Sequence, residues 1–233
     1  MFCFIDYRTT QTEKQNLKKL GFTCIEIPKC TSLYPAIDGH VDIQLNILNK
    51  TKKEVIIHKD IDESFKLQLQ ENNINYIETI NSLSNKYPKD IIINSLILDN
   101  YFIHNLKYTD PILLKLQETK KVIHVNQGYT KCSCLPVNEK AIITSDISIY
   151  KELISNKFDV LLVPPGDILL PGLNYGFIGG VGGMISDNCM AFFGNLDNYL
   201  YGSEVKKFLD KYNVKPIYLS NGKLNDRGSL LIL

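Results

Sequence analysis

"MFCFIDYRTTQTEKQNLKKLGFTCIEIP", residues 1–28, followed by "HVDIQLNIL", residues 40–48, contains the order of events that decides the fold. An apolar run stops at Asp6, a polar stretch "TEKQNLKKLG" follows, and Leu17 and Leu20 supply its i, i+3 apolar contact, which predicts a helix ending at Gly21. "FTCIEIP" then reads as a second strand and "HVDIQLNIL" as a third. One unit is therefore strand, helix, strand, strand.

The same order returns four more times. Unit two has "EVIIHKD", "ESFKLQLQENN", "INYIETI" and "KDIIINSLIL". Unit three has "YFIHN", "DPILLKLQETK" with Pro111 in the first turn, "KVIHVNQG" and "KCSCLPV". Unit four has "AIITSD", "ISIYKELISNK", "FDVLLVPPGD" and the glycine-rich "NYGFIGGVGGMIS". Unit five has "CMAFFGN", "SEVKKFLDKYN", "VKPIYLS" and "GSLLIL". The units span approximately 1–53, 54–100, 101–140, 141–188 and 189–233, and no segment is left for a second domain. Each is too small to bury its own apolar face, so the pattern predicts one domain of class α/β, a five-fold pseudosymmetric β/α propeller stacked around a common axis.

Composition narrows the functional classes. Lys+Arg total 26 against 25 Asp+Glu, a net charge of +1, so no global field favours nucleic acid or an anionic membrane. The N-terminal apolar run breaks off at Asp6 and Arg8, too early for a signal peptide, and no later run reaches spanning length. The expected location is cytoplasmic. The cysteines at 3, 24, 30, 132, 134 and 189 form no C-x-x-C pair, which predicts reduced thiols rather than a zinc ribbon or a disulfide framework. Histidines 58, 104 and 124 offer no metal-ligand spacing, and neither a metal nor an organic cofactor is expected. Oligomeric state is not legible.

Two short stretches carry polar residues into otherwise aliphatic closing strands. In "GHVD", His40 and Asp42 stand two apart, and in "KCSC", Cys132 and Cys134 do the same; on an extended chain each pair would share a face. The run "GFIGGVGG" invites a phosphate-binding reading, but it follows a strand and opens no helix, so closely packed strands explain its glycines instead.

Five strand-helix-strand-strand units resemble the pentein fold of the guanidine-modifying enzymes: deiminases, dimethylarginine hydrolases and amidinotransferases, with non-catalytic relatives. Architecturally the resemblance covers the whole chain, and it is similar to a group of uncharacterised bacterial proteins with this fold. In the enzymes a His-x-Asp on one closing strand faces a nucleophilic Cys two units further round; here His40-Val41-Asp42 lies in unit one and Cys132 in unit three. The family's usual cysteine lies near the C-terminus, whereas this chain ends "NDRGSLLIL", so the resemblance implies a site shifted to another blade.

What it implies is a Cys-dependent hydrolase or amidinotransferase-like enzyme acting on a small guanidino or amidino compound through a covalent thioether. Cys132 would be the nucleophile, with Cys134 as the alternative, His40 the acid and base, and Asp42 its neighbour or a substrate holder. Asp167 in "PPGDILLPG" and Asp226 in "NDRG" are candidate carboxylates for the planar cation, and Asn174 or Tyr175 could line a central pocket. The missing C-terminal cysteine keeps a second expectation open, a non-catalytic protein of this fold that binds a small ligand or a protein partner.

Overall fold

The computed structural model describes all residues, 1–233. In unit one, β1 (Phe2–Asp6), α1 (Gln11–Lys19) and β2 (Thr23–Ile27) are followed by a single helical turn α2 (Val41–Gln44) and β3 (Leu45–Asn49). Unit two has β4 (Glu54–Ile57), α3 (Glu63–Glu71), β5 (Asn75–Glu78) and β6 (Leu96–Ile97). Unit three has β7 (Tyr101–His104), α4 (Pro111–Leu116), β8 (Lys121–His124), the turn α5 (Thr130–Ser133) and β9 (Cys134–Pro136). Unit four has β10 (Ala141–Thr144), α6 (Ile147–Ser155), β11 (Asp159–Leu162), a 3-10 turn (Ile178–Val181) and β12 (Gly182–Ser186). Unit five has β13 (Cys189–Phe192), α7 (Gly202–Lys211), β14 (Lys215–Tyr218) and β15 (Leu231–Ile232).

The local chemistry repeats with the units. Thr10 caps α1 in a reciprocal capping box with Glu13, and the carboxylates of Asp62, Asp110 and Asp146 accept first-turn amides of α3, α4 and α6. Beyond the other end of α1, α3, α6 and α7 the chain turns through a left-handed residue, Gly21, Asn73, Lys157 and Asn213. Each helix thus starts and stops at a defined residue and returns the chain parallel to the strand it left, as in Phe2↔Thr23 and Asp6↔Ile27.

The closing strands pair across the unit boundaries. β3 runs antiparallel to β4, β6 to β7, β9 to β10 and β12 to β13, so five three-stranded sheets form, each with the order closing, first, second strand. The ring closes where β15 pairs with β1, Cys3 opposite Ile232, reinforced by Phe2 N donating to Leu233 O at 2.7 Å.

The core consists of five apolar clusters, one between each pair of neighbouring sheets. Because successive side chains of a strand leave on opposite faces, Val55 and Ile57 pack toward β1 while Ile56 packs toward β7. Ala141 and Ile143 face β13, and Ile142 faces β7. Central strands covered on both faces must be apolar throughout, which is why they read as solid aliphatic runs. No helix is long and apolar enough to cross a membrane.

Candidate active site

The inner strands β3, β6, β9, β12 and β15 enclose a wide opening of about 1250 Å³ around the axis. At their N-terminal ends each unit places one residue at the equivalent position: Asp42, Asn94, Cys132, Gly180 and Ser229 stand two or three residues before the inner strand. Here they meet.

His40 and Asp42 do not lie on a strand. His40 is the residue before the helical turn α2 and Asp42 lies within it; Cys132 lies in the equivalent turn α5. These four-residue turns are held from outside. Gly228 O accepts from Asp42 N at 3.0 Å, and the Asn94 amide oxygen accepts from the backbone N–H groups of Lys131 (3.0 Å) and Cys132 (3.3 Å). Asn94 Nδ2 lies 2.9 Å from Asp42 O and 3.2 Å from Cys132 Sγ. One amide therefore ties three units together.

The Cys132 thiol lies 3.1 Å from Asp42 Oδ1, and Ser229 Oγ donates to Asp42 Oδ2 at 2.6 Å. Lys131 Nζ, buried, donates to Ser229 Oγ at 2.8 Å. The donor atoms of His40, Asp42 and Cys132 lie within 4.8 Å of one another, wider than the separation of about 3.8 Å between two ligands of a tetrahedral zinc ion. His40's nearest carboxylate is Asp226, with Nε2 to Oδ1 at 3.7 Å, and neither ring nitrogen has a hydrogen-bond partner. Asp226 accepts from Phe177 N at 2.8 Å and Gly228 N at 3.0 Å.

Burial, followed by the nearby carboxylates of Asp42 and Asp226, pushes the Cys132 thiol well above its ordinary range, so the sulfur rests protonated. Burial likewise raises the Asp226 carboxyl, against the pull of His40 and of its two backbone donors. It lowers the Lys131 ammonium, with Asp42 the foremost opposing charge.

A cavity of about 200 Å³ opens onto Cys132, His40 and Asp226, with Asn174 and Tyr175 also in its wall. Asp42 sits behind the sulfur rather than in the lining. Two expected residues lie elsewhere. Asp167, at φ 56°, accepts from Leu200 N and pairs with Lys223, a turn residue outside the cavity. Cys134 opens β9 and packs among Leu96, Ile103 and Ile142; because α5 ends between them, Cys132 and Cys134 share no face. Asn94, Ser229 and Lys131 are the residues the sequence reading misses. Superimposing the units on their inner strands is the signal that would have found the first two.

The glycine run of unit four makes room for this cluster. A Cβ on Gly180 would stand 1.8 Å from Asp226 Oδ1, and one on Gly228 (φ 67°) 2.4 Å from His40 Cβ. Gly180→Ala is expected to cost about 1–3 kcal/mol by overpacking and to shift the Asp226 carboxylate. A urea midpoint equal to that of the parent protein would refute this contact.

Across residues 4–231 the sequence matches the model of a family described as a family of unknown function (DUF6873). No curated protein matches by sequence. Among solved structures, SxtG, an amidinotransferase from Microseira wollei, shares 10% identity at a TM-score of 0.56, covering 93% of this chain and 87% of that one. Agmatine deiminase from C. jejuni shares 14% at 0.53, covering 93% and 77%. DDAH from Pseudomonas aeruginosa, solved as a mutant complexed with citrulline, shares 7% at 0.54, covering 93% and 91%. The fold is the single-domain pentein architecture, shared with these amidinotransferase, agmatine deiminase and DDAH structures.

Proposed function

We propose that this chain, which belongs to the family of unknown function DUF6873, is a cysteine-dependent hydrolase or amidinotransferase acting on a guanidino or amidino compound. The observation that carries the reading is the convergence of Cys132, His40 and Asp42 within 4.8 Å beside a cavity that also holds the Asp226 carboxylate.

A guanidinium entering the cavity brings its positive charge against Asp226 and the sulfur. That charge offsets the two carboxylates that keep Cys132 protonated, so the thiol proton passes to Asp42 Oδ1, already 3.1 Å away. The thiolate attacks the central carbon, one C–N bond breaks, and the departing nitrogen takes a proton from Asp42 or His40 to leave as a neutral amine or ammonia. An amidino-thioether remains on Cys132. Water deprotonated by His40 then releases a urea or amide and restores the thiol; an acceptor amine in place of water would give amidino transfer. His40 suits proton movement because its ring nitrogens are bound to nothing else.

Labelling with chloroacetamidine tests the reading. One adduct per chain is expected by intact mass, absent in Cys132→Ala, with the amidinium reagent reacting faster at neutral pH than uncharged chloroacetamide because it carries the charge that ionises the thiol. Equal labelling of the Cys132→Ala variant would remove the nucleophile.

A second reading rests on the same raised thiol. A sulfur this buried and this strongly held as its protonated form also suits a non-catalytic site that binds a small ligand. Saturable binding of guanidines with no Cys132-dependent turnover would select it.

A further inference from the structure

The cavity walls also limit what can be attached to the guanidinium. Eight of its eleven lining residues are hydrophobic, Tyr34, Tyr129, Phe177 and Leu170 among them, and no lysine or arginine lines it. Three of the cations closest along the chain, Arg8, Lys29 and Lys131, face other partners, whereas Arg227 has no ion-pair partner and its buried Nε no acceptor. Arg8 spends its guanidinium on Asp6 and on the carbonyls of Pro35 and Ala36. Lys29 lies near Asp38. Lys131 turns its ammonium to Ser229 and lines the axial opening rather than this cavity. Arg227, next to Asp226 in sequence, lies outside the lining.

Two consequences follow for a substrate. A carboxylate on its tail would be desolvated against aromatic rings with no cation to meet it and with Asp226 repelling it. A second ammonium would meet no other carboxylate in the wall: Asp226 is the one acidic lining residue, and Asp90, whose Oδ2 accepts from Tyr129 while its Oδ1 has no partner, lies outside the lining. The cavity is also small, about 200 Å³, and has to hold the guanidinium as well as the tail.

Resting on the guanidino reading above, we propose that the site takes a monocationic guanidine or amidine with a short, uncharged, apolar substituent, and not an amino acid or a diamine derivative. Asp226 holds the cation, and the tail lies against Tyr34, Tyr129 and Phe177.

Calorimetric titration of the Cys132→Ala variant, with its fold checked by circular dichroism, tests this with three probes: n-propylguanidine, agmatine and arginine. Propylguanidine is expected to bind at least tenfold more tightly than either of the others, and Asp226→Asn in the same background is expected to abolish that binding. Arginine or agmatine binding as tightly as propylguanidine overturns the substrate class while leaving the guanidino reading intact. Propylguanidine binding unaffected by Asp226→Asn places the ligand outside this cavity and also overturns the proposal. No binding by any of the three defeats both. If Cys132→Ala does not fold, the ranking of kcat/KM for the three compounds on the parent protein decides the same question.

Discussion

Acidification from pH 7 to 4 is expected to remove several kcal/mol of stability and to bring the protein close to unfolding, through two histidines that lie outside the candidate site. His58 and His104 are buried at 2% and 0% exposure, and burial holds each at a pKa of about 4 instead of 6.5. Burial is the cause in both: His58 Nε2 lies 3.3 Å from Gln44 Oε1 with Nδ1 unpartnered, and His104 lies between Thr109 Oγ1 at 2.7 Å and Gly128 O at 3.2 Å. Between pH 6.5 and 4 the unfolded chain takes up protons that the folded chain refuses, so stability present above 6.5 is lost as the pH falls toward 4. At about 1.4 kcal/mol per pKa unit each histidine contributes about 3 kcal/mol, against a total of about 5–15 kcal/mol for an ordinary domain. Asp90 and Asp226 act in the opposite sense, because burial raises both carboxyls and their protonation in acid relieves a desolvation cost. Urea midpoints should fall steeply between pH 6.5 and 4.5, and His58→Gln should roughly halve that slope. Midpoints constant over the interval would rule the mechanism out.

The same burial explains what is legible in the sequence. The central strands are covered on both faces, so they read as unbroken aliphatic runs, and helix ends marked by Asp62, Pro111, Asp146 and Gly21 punctuate them in the same order each time. Five repeats of that order suffice for the architecture. Which strands hydrogen-bond is not written locally: "HVDIQLNIL" gives no sign that β3 pairs with β4 of the next unit rather than with its own.

The site is half legible, for a reason that differs from the one extended geometry suggests. His40, Asp42 and Cys132 do converge, but through helical turns of four residues that no propensity predicts; "VDIQ" begins with a β-branched residue, and its turn persists because Gly228 and Asn94 bind it from other units. Extended geometry correctly joins His40 to Asp42 as neighbours and wrongly joins Cys132 to Cys134. Asp167 fails differently. A carboxylate in a Pro/Gly-rich stretch is as readily a turn residue as a ligand, and this one is a left-handed turn.

Lys131 is the residue on which the buried cluster depends most. Asp42 is fully buried, and its only side-chain donors are the Ser229 hydroxyl and the Cys132 thiol, both uncharged. Positive charge reaches it through Ser229, whose oxygen accepts from the Lys131 ammonium and lies 2.6 Å from Asp42 Oδ2 and 2.8 Å from Gly179 O, the charged carboxylate being the stronger acceptor. Lys131→Met keeps the length and apolar stem of the side chain and removes that charge, leaving a carboxylate in a low-dielectric interior without its cation. Removal of one member of a buried charge pair costs about 3–5 kcal/mol; here the hydroxyl stands between the two, so about 3 kcal/mol is expected. The double variant Lys131→Met with Asp42→Asn removes both charges and should recover most of that loss, which a purely steric role for the lysine would not allow. Burial also lowers the Lys131 pKa, and this makes the opposite result informative. If Lys131→Met unfolds at the same urea concentration as the parent protein, the lysine is neutral in the fold, the carboxylate at Asp42 lacks its counter-charge, and the proton exchanged with Cys132 must come from a cluster that already holds one proton fewer.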